Sequence, residues 1–432
     1  MTSPADILRQ PLALGAETLP NRLAKGAMTE GLADSRGRPT ARHARLYGAW
    51  AQGGAGLLIS GNVIIDRDHL ERPGNVILDR APDAEAKAAF AAWAQAARAH
   101  GAGFWMQISH AGRQTMATVN PAPKSASDVA LAMPGKQFAK PSPLSEAEIL
   151  DLVRRFAQAA VHAREAGFTG VQIHAAHGYL LSQFLSPLAN RRTDAWGGPL
   201  ENRARFLLEA VRAVRAAVGG DFTLSVKLNS ADFQRGGFDG GESLTVAQWL
   251  GEAGVDVLEI SGGSYEQPRM MGMDGLQKPD LKGLPASTAA REAYFLDFAS
   301  EMRRRVAMPL MVTGGFRTAA AMARAITDDG VALIGLGRPL CVDTAGPAAL
   351  LAGAAALDRS EDRLRIGPGL LGPKSPIGLI KALNGFGATY WYYQQLRRIA
   401  DGQGPDRALG VFKALQQEQA AQAAWLASRA SA

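Results

Sequence analysis

The chain has 432 residues, 47% of them hydrophobic and 20% charged, the balance of a globular protein with a sizeable core. Its single cysteine, Cys341, excludes an intrachain disulfide and any cysteine-held iron–sulfur or zinc centre. The net charge of +7 would suit nucleic acid, but Arg and Lys are spread without a run of five, so a basic enzyme with no nucleic-acid partner is expected.

Short apolar runs alternate with helical patterns along most of the chain. Strands are predicted at 23–28 (LAKGAM), 56–60, 103–108, 169–173, 222–228, 255–260, 309–313 and 331–335. Helices are predicted near 43–53, 83–100, 145–166, 200–217, 243–253, 288–306 and 318–327, the third opened by a capping box of Ser145 and Glu148. Apolar runs of this length suit strands buried on both faces. An open doubly wound sheet would show the same alternation. The unusual residues, however, follow the C-terminal ends of many different strands, which favours a closed (β/α)8 TIM barrel with its site at one face.

Residues 109–144 and 262–287 form long irregular stretches, of the kind that serve as functional lids. After about residue 365 the alternation gives way to a Gly/Pro-rich connector and then helix. The expected division is a barrel over 1–360 that binds the cofactor and a mostly helical extension over 361–432. In that extension Trp391, Tyr392 and Tyr393 are consecutive and cannot share one helical face, which implies packing on two sides, against the barrel or a second subunit.

The strongest chemical signal follows the fourth strand, in IHAAHGYLLSQFLSPLANRRTDAWGG. His174 and His177 stand three apart, with Tyr179 two further on. Such donors at a strand end could hold a carbonyl oxygen as it gains charge. Spacing alone leaves open a metal site, which would need a further ligand, and a purely structural pair. Lys227 interrupts an apolar strand, so it needs either a ligand or a buried carboxylate as partner. Gly314 and Gly315 follow the seventh strand, and Gly337 and Arg338 the eighth. Barrels often bind phosphate with these loops, although turns need glycine anyway.

HAAHGYLLSQFLSPLANRRTDAWGG resembles the signature of the Old Yellow Enzyme family of NAD(P)H-dependent flavin oxidoreductases. The opening ILRQPLALGAETLPNRLAKGAMTEG, then FWMQISHAGRQ, VKLNSADF and LIGLGRPL, resemble other family segments in order, over roughly residues 7–345, and the opening's resemblance implies an N-terminal hairpin before the first strand. The resemblance implies FMN as cofactor, NADH or NADPH as hydride donor, and an enone or enal as substrate. It implies that His174 and His177 hold the substrate carbonyl and that Tyr179 protonates its carbon. Ala27, Met28 and Thr29 would lie at the flavin, with Thr29 near O4. Gly61 would be the small residue beside the ring, with a plain turn as the alternative. Gln107 would bond the pyrimidine end and Lys227 would sit near N1 and O2, where a cation stabilises reduced flavin. Gly314, Gly315, Gly337 and Arg338 would hold the phosphate.

The chain departs from the family at KGAMTEG, which lacks a common proline. Glu30 and Gly31 follow it, so the substrate pocket is expected to differ there. The cysteines of the larger dienoyl-CoA reductase relatives are missing, so no iron–sulfur cluster and no metal is expected. No window approaches the roughly 18 apolar residues of a membrane span, and MTSPADILRQPL does not read as a secretory signal. A cytoplasmic enzyme without membrane contact is expected, with homo-oligomerisation left open. The rival readings are a metal-dependent barrel hydrolase or isomerase and a non-catalytic flavin-binding protein.

Overall fold

In the computed structural model, which describes residues 2–133, 137–267, 295–373 and 375–431, eight parallel strands close into a barrel. They are β1 (Leu23–Lys25), β2 (Leu57–Ile64), β3 (Gly103–Ser109), β4 (Gly170–Ala175), β5 (Thr223–Asn229), β6 (Val257–Ser261), β7 (Leu310–Thr313) and β8 (Leu333–Leu336). Each pairs with the next, and β8 and β2 both pair with β1, which closes the ring. Helices α1 (Ala41–Gln52), α2 (Ala84–Arg98), α3 (Glu146–Glu165), α4 (Leu200–Val218), α5 (Gly240–Glu252), α6 (Leu296–Arg303) and α7 (Ala319–Thr327) fill the connections. The fold is therefore the predicted (β/α)8 barrel. The Ser145–Glu148 capping box opens α3 as predicted.

Two strand boundaries moved by more than two residues. β1 ends at Lys25 rather than 28: Gly26 N–H still donates to Leu336 O (2.8 Å), and the chain then leaves the sheet, so Ala27–Thr29 form a loop. β2 runs on to Ile64 through a register shift between Ile59 and Asn62. The predicted helix at 288–306 is described over Leu296–Arg303, while 288–294 lie outside the described residues. Of the irregular stretch 262–287, residues 268–287 also lie outside them.

Strand side chains alternate, so each barrel strand presents every second residue to the interior. The outward set, including Val171, Ile173, Leu224, Val226, Leu258 and Ile260, packs against the helices in the main core. The inward set divides by height. Near the N-terminal ends, Ala24, Leu57, Ile59, Trp105, Val257, Met311 and Leu333 make a separate apolar core. The hairpin of Leu12–Leu14 and Glu17–Leu19 closes that end, with Leu14 and Leu19 in the same core and Trp105 Nε1 donating to Glu17 Oε2 (2.9 Å). Towards the C-terminal ends the inward positions become polar, and Gln107, Gln172, His174, Lys227, Asn229, Glu259 and Ser261 are all buried.

After α8 (Gly346–Leu351), the chain ends in two helices, α9 (Gly378–Ala400) and α10 (Val411–Ala430), which pack on each other and on the barrel. The three consecutive aromatics of α9 point three ways. Trp391 Nε1 donates to Leu409 O (2.8 Å), Tyr392 bonds Glu361 (3.4 Å), and the Tyr393 ring lies 3.7 Å under the Arg72 guanidinium. Among the alternatives, packing within the same chain accounts for all three. Arg72, in the loop after β2, forms a buried ion pair with Glu418 of α10, which also accepts from Arg397 of α9 (3.1 Å). No helix among the described residues is long and apolar enough to cross a membrane.

Removing one partner of a buried ion pair leaves a charge without compensation, typically at about 3–5 kcal/mol. Glu418→Ala strands two guanidinium groups and should lower stability by about that amount, read as a shifted urea midpoint. A shift below about 0.5 kcal/mol would mean that the helices are held by apolar packing alone.

Candidate active site

The site forms at the C-terminal mouth of the barrel, above the polar layer. Register builds that layer: Gln107 is opposite Gln172, and Lys227 is opposite both His174 and Glu259. Gln107 Nε2 donates to Gln172 Oε1 (2.7 Å), and Gln172 Nε2 donates to Glu259 Oε2 (2.8 Å). Lys227 Nζ pairs with Glu259 Oε1 at 2.8 Å, both side chains almost wholly buried. The carboxylate partner considered for Lys227 thus exists. It takes one of three ammonium donors and leaves the others for a ligand.

His174 ends β4, and the chain then turns through His177, whose φ of +61° places it in the left-handed region. Asn229 Oδ1 accepts the His177 N–H (3.1 Å) and Gln114 Nε2 donates to its carbonyl (3.0 Å), which holds this unusual backbone. The two imidazoles stand edge to face, 5.0 Å between centroids, and Tyr179 lies edge-on to His174 at 4.7 Å. The predicted trio is therefore one cluster. Ala176 N–H donates to His174 Nδ1 (3.2 Å), so a neutral His174 carries its proton on Nε2. His177 Nε2 bonds Ser261 Oγ (2.7 Å). Burial pushes both histidines well below the usual imidazole range, and their proximity to each other and to Lys227 adds to this for His174. Each is therefore neutral, with one ring N–H. Burial and then the Glu71 carboxylate raise Tyr179 well above the usual phenol range, so it keeps its proton at neutral pH.

Thr29 lies in the loop after β1, where its hydroxyl donates to Glu71 Oε2 (3.0 Å) and receives a longer bond from Asn62 Nδ2 (3.4 Å). Ala27, Met28 and Thr29 are all partly exposed at the mouth. Gly61 is not in a turn. It lies within β2, where an added Cβ would come 2.5 Å from Met28 O and clash with Glu30. Gly61 N–H donates to Glu30 Oε1 (2.9 Å). Glu30 is buried and also bonds the Tyr47 hydroxyl, which in turn accepts from Lys25 Nζ (3.0 Å). Its carboxylate therefore ties the loop after β1 to β2 and to α1. Gly31 has a φ of +65° and backs onto Arg72.

At the far side, Gly314 and Gly315 follow β7 with φ of +128° and +87°, values that L side chains rarely adopt. Gly337 and Arg338 follow β8, all four residues partly exposed. Arg338 has no ion-pair partner among the described residues. This donor set fits FMN: amide, ammonium and hydroxyl groups for a ring at the barrel mouth, and glycine turns with an uncommitted guanidinium for a phosphate.

Sequence reasoning missed Glu259, Glu71 and Tyr265. Glu259 interrupts an apolar strand as Lys227 does, so the same rule could have found it. Glu71 and Tyr265 lie in loops with no periodic signal. Tyr265 OH donates to Glu71 Oε1 (3.1 Å) and stands 3.1 Å from Tyr179 OH. Its loop is pinned by Glu266, which pairs with Arg113 (3.0 Å) in the loop after β3.

Among the described residues one cluster has the makings of a metal site, and it does not include His174 or His177. It joins Asp66, His69 and His110. There His69 Nε2 accepts from Lys124 N–H (2.9 Å) and His110 Nδ1 accepts from Gly112 N–H (3.0 Å). Each neutral ring therefore carries a proton on the nitrogen that faces Asp66, which leaves no lone pair there for a metal.

The sequence profile described as the NADH:flavin oxidoreductase / NADH oxidase family matches residues 8–351. The chain is 38% identical over 344 residues to the NADH-dependent flavin oxidoreductase iliE of Hypocrea jecorina (strain QM6a), covering 76% of this chain and 84% of that one. Its fold is similar to that of an old yellow enzyme homologue from Zymomonas mobilis, with a TM-score of 0.67 and 27% identity over 82% of this chain and 95% of that one. It is also similar to morphinone reductase in complex with tetrahydroNAD, with a TM-score of 0.66 and 26% identity over 82% of this chain and 92% of that one.

Four buried histidines are neutral in the folded protein: His174 and His177, and also His43 and His110, each pushed down to about 4 by burial. Between about pH 6.5 and 4 the unfolded chain binds protons that the folded chain refuses, so stability falls as pH falls through that window. Urea unfolding at stepped pH should show this slope beginning near the unperturbed imidazole value. A flat profile down to about pH 5 would mean that the imidazoles are charged when folded.

Proposed function

Because the chain belongs to the NADH:flavin oxidoreductase / NADH oxidase family, and so uses FMN with NADH or NADPH, we propose that it is an ene-reductase acting on the activated C=C bond of α,β-unsaturated carbonyl compounds. The observation that carries this reading is the cluster of two neutral imidazoles and a protonated tyrosine at one strand end. Gln107, Lys227 and Thr29 would hold the flavin ring, with Ala27, Met28 and Gly61 beside it. Gly314, Gly315, Gly337 and Arg338 would hold the phosphate. Held by these residues, FMN would supply the hydride-transfer chemistry between the nicotinamide and the substrate β-carbon.

The remaining work falls to the chain itself. The substrate carbonyl oxygen accepts N–H bonds from His174 and His177, which orient it and stabilise the negative charge that grows there. A single donor of this kind is typically worth about 100- to 1,000-fold in rate. Neutral donors suit the task, since they stabilise the charge without protonating the oxygen permanently. Tyr179 gives its proton to the α-carbon. The closed barrel beneath, sealed by its apolar core and hairpin, keeps water from entering from below.

The histidine assignment is tested with a phenol, whose anion resembles the enolate. His174→Ala combined with His177→Ala should retain FMN and lose the long-wavelength charge-transfer band that a bound phenolate makes with flavin. The tyrosine is tested by stopped-flow absorbance. Tyr179→Phe should leave reduction by NAD(P)H intact and slow the alkene half-reaction by about 100- to 10,000-fold, the usual worth of a general acid. Equal alkene rates in variant and parent would remove Tyr179 from the role of acid.

A further inference from the structure

Each turnover of the proposed reaction takes one proton from Tyr179, a residue only 6% exposed, and that proton must be replaced. The geometry supplies one continuous line of oxygen atoms for this. Tyr179 OH is 3.1 Å from Tyr265 OH, Tyr265 OH is 3.1 Å from Glu71 Oε1, and Thr29 Oγ1 is 3.0 Å from Glu71 Oε2. Tyr265 is partly exposed at the mouth, whereas Tyr179, His174 and Glu71 are buried. We infer that Glu71 and Tyr265 form a proton relay that returns a proton to Tyr179 after each alkene reduction, an inference that rests on Tyr179 being the acid.

The balance is simple. The Tyr179 O–H bond breaks as the new C–H bond forms, leaving a phenolate oxygen. That oxygen takes the proton of Tyr265, Tyr265 takes the proton of a Glu71 carboxylic acid, and the Glu71 carboxylate takes one proton from solvent. No electrons move.

The relay also has a direction. With Glu71 ionised, Tyr265 directs its one proton to the carboxylate, so Tyr179 must direct its own proton to Tyr265 and away from substrate. With Glu71 protonated, the carboxyl donates to Tyr265, Tyr265 donates to Tyr179, and the Tyr179 proton is free for the substrate carbon. One proton on Glu71 therefore both reloads the acid and aims it. Glu71 is embedded among groups from several elements: Arg72 beside it, Tyr265 and Tyr179 from the loops after β6 and β4, and Tyr390 and Tyr393 from α9. Glu418 of α10 faces Arg72. The loop clamp of Arg113 on Glu266 keeps Tyr265 in line, and the edge of Phe138, 6.0 Å away, packs against its ring. Both relay members are positioning residues, since they act through Tyr179.

The test compares first and later turnovers in the FMN-loaded enzyme. Pre-reduced Tyr265→Phe and Glu71→Gln should reduce a first equivalent of cyclohexenone within about twofold of the parent, using the proton already on Tyr179. Steady-state turnover should fall about tenfold or more, with a larger solvent deuterium isotope effect on kcat and a changed pH profile. A structural role alone would slow both phases together, and that outcome overturns the relay, as does unchanged steady-state turnover in both variants. Tyr179→Phe separates the two levels of inference. If it leaves the alkene step unchanged, the acid assignment has failed; if it slows that step while both relay variants turn over normally, only the relay has failed.

Discussion

The Lys227–Glu259 pair, at 2.8 Å inside a closed barrel, is the constraint around which the upper half of the molecule is arranged. Two charges taken out of water are tolerated only when their remaining hydrogen-bonding capacity is met. Gln172 meets one Glu259 oxygen, and Gln107 in turn bonds Gln172, so the pair draws a whole layer of amides into the interior. The apolar core beneath and the hairpin plug keep that layer dry. Above it lies the barrel mouth, where the proposed flavin would take up the remaining donors of Lys227. The barrel thus has an apolar floor, an ionic ceiling to that floor, and a site that begins where the polar layer ends.

Burial then decides the chemistry of the site. Imidazoles in water are partly cationic near neutral pH, but here desolvation and the nearby ammonium keep His174 and His177 neutral. The same desolvation, with the Glu71 carboxylate, holds the proton on Tyr179. One physical cause therefore produces two neutral donors and one retained proton within about a 5 Å neighbourhood. The strain that brings them together, a histidine at positive φ, is borne by Asn229 from β5 and Gln114 from the loop after β3. The cluster comes from one segment, which is held in shape by a strand residue, Asn229, and a loop residue, Gln114.

The C-terminal helices belong to the same electrostatic system. Arg72 follows Glu71 in sequence, stacks on Tyr393 of α9 and pairs with Glu418 of α10. The extension is therefore tied to the residue next to the proposed proton relay. That gives the helices a place in shaping the mouth which their composition does not announce.

The sequence alone determined the elements and much of the chemistry. Short continuous apolar runs separated by helical patterns were enough for eight strands, because such runs and helix periodicity are local properties of the chain. The capping box of α3, the histidine–tyrosine cluster and the intruding lysine of β5 were legible for the same reason: each is written in a few consecutive residues. Strand ends were less so, since β1 stops where its neighbours' hydrogen bonds stop, three residues before its apolar run does. The bonds of Glu30 were not legible, because only the fold brings Tyr47 and Gly61 to it. Glu71, Tyr265 and Tyr393 were invisible as a group. They come from a loop after β2, a loop after β6 and a helix beyond the barrel, separated by 194 positions between the first two alone. Their meeting depends on barrel closure, which acts between distant residues and leaves no periodic trace in any one of the segments it joins.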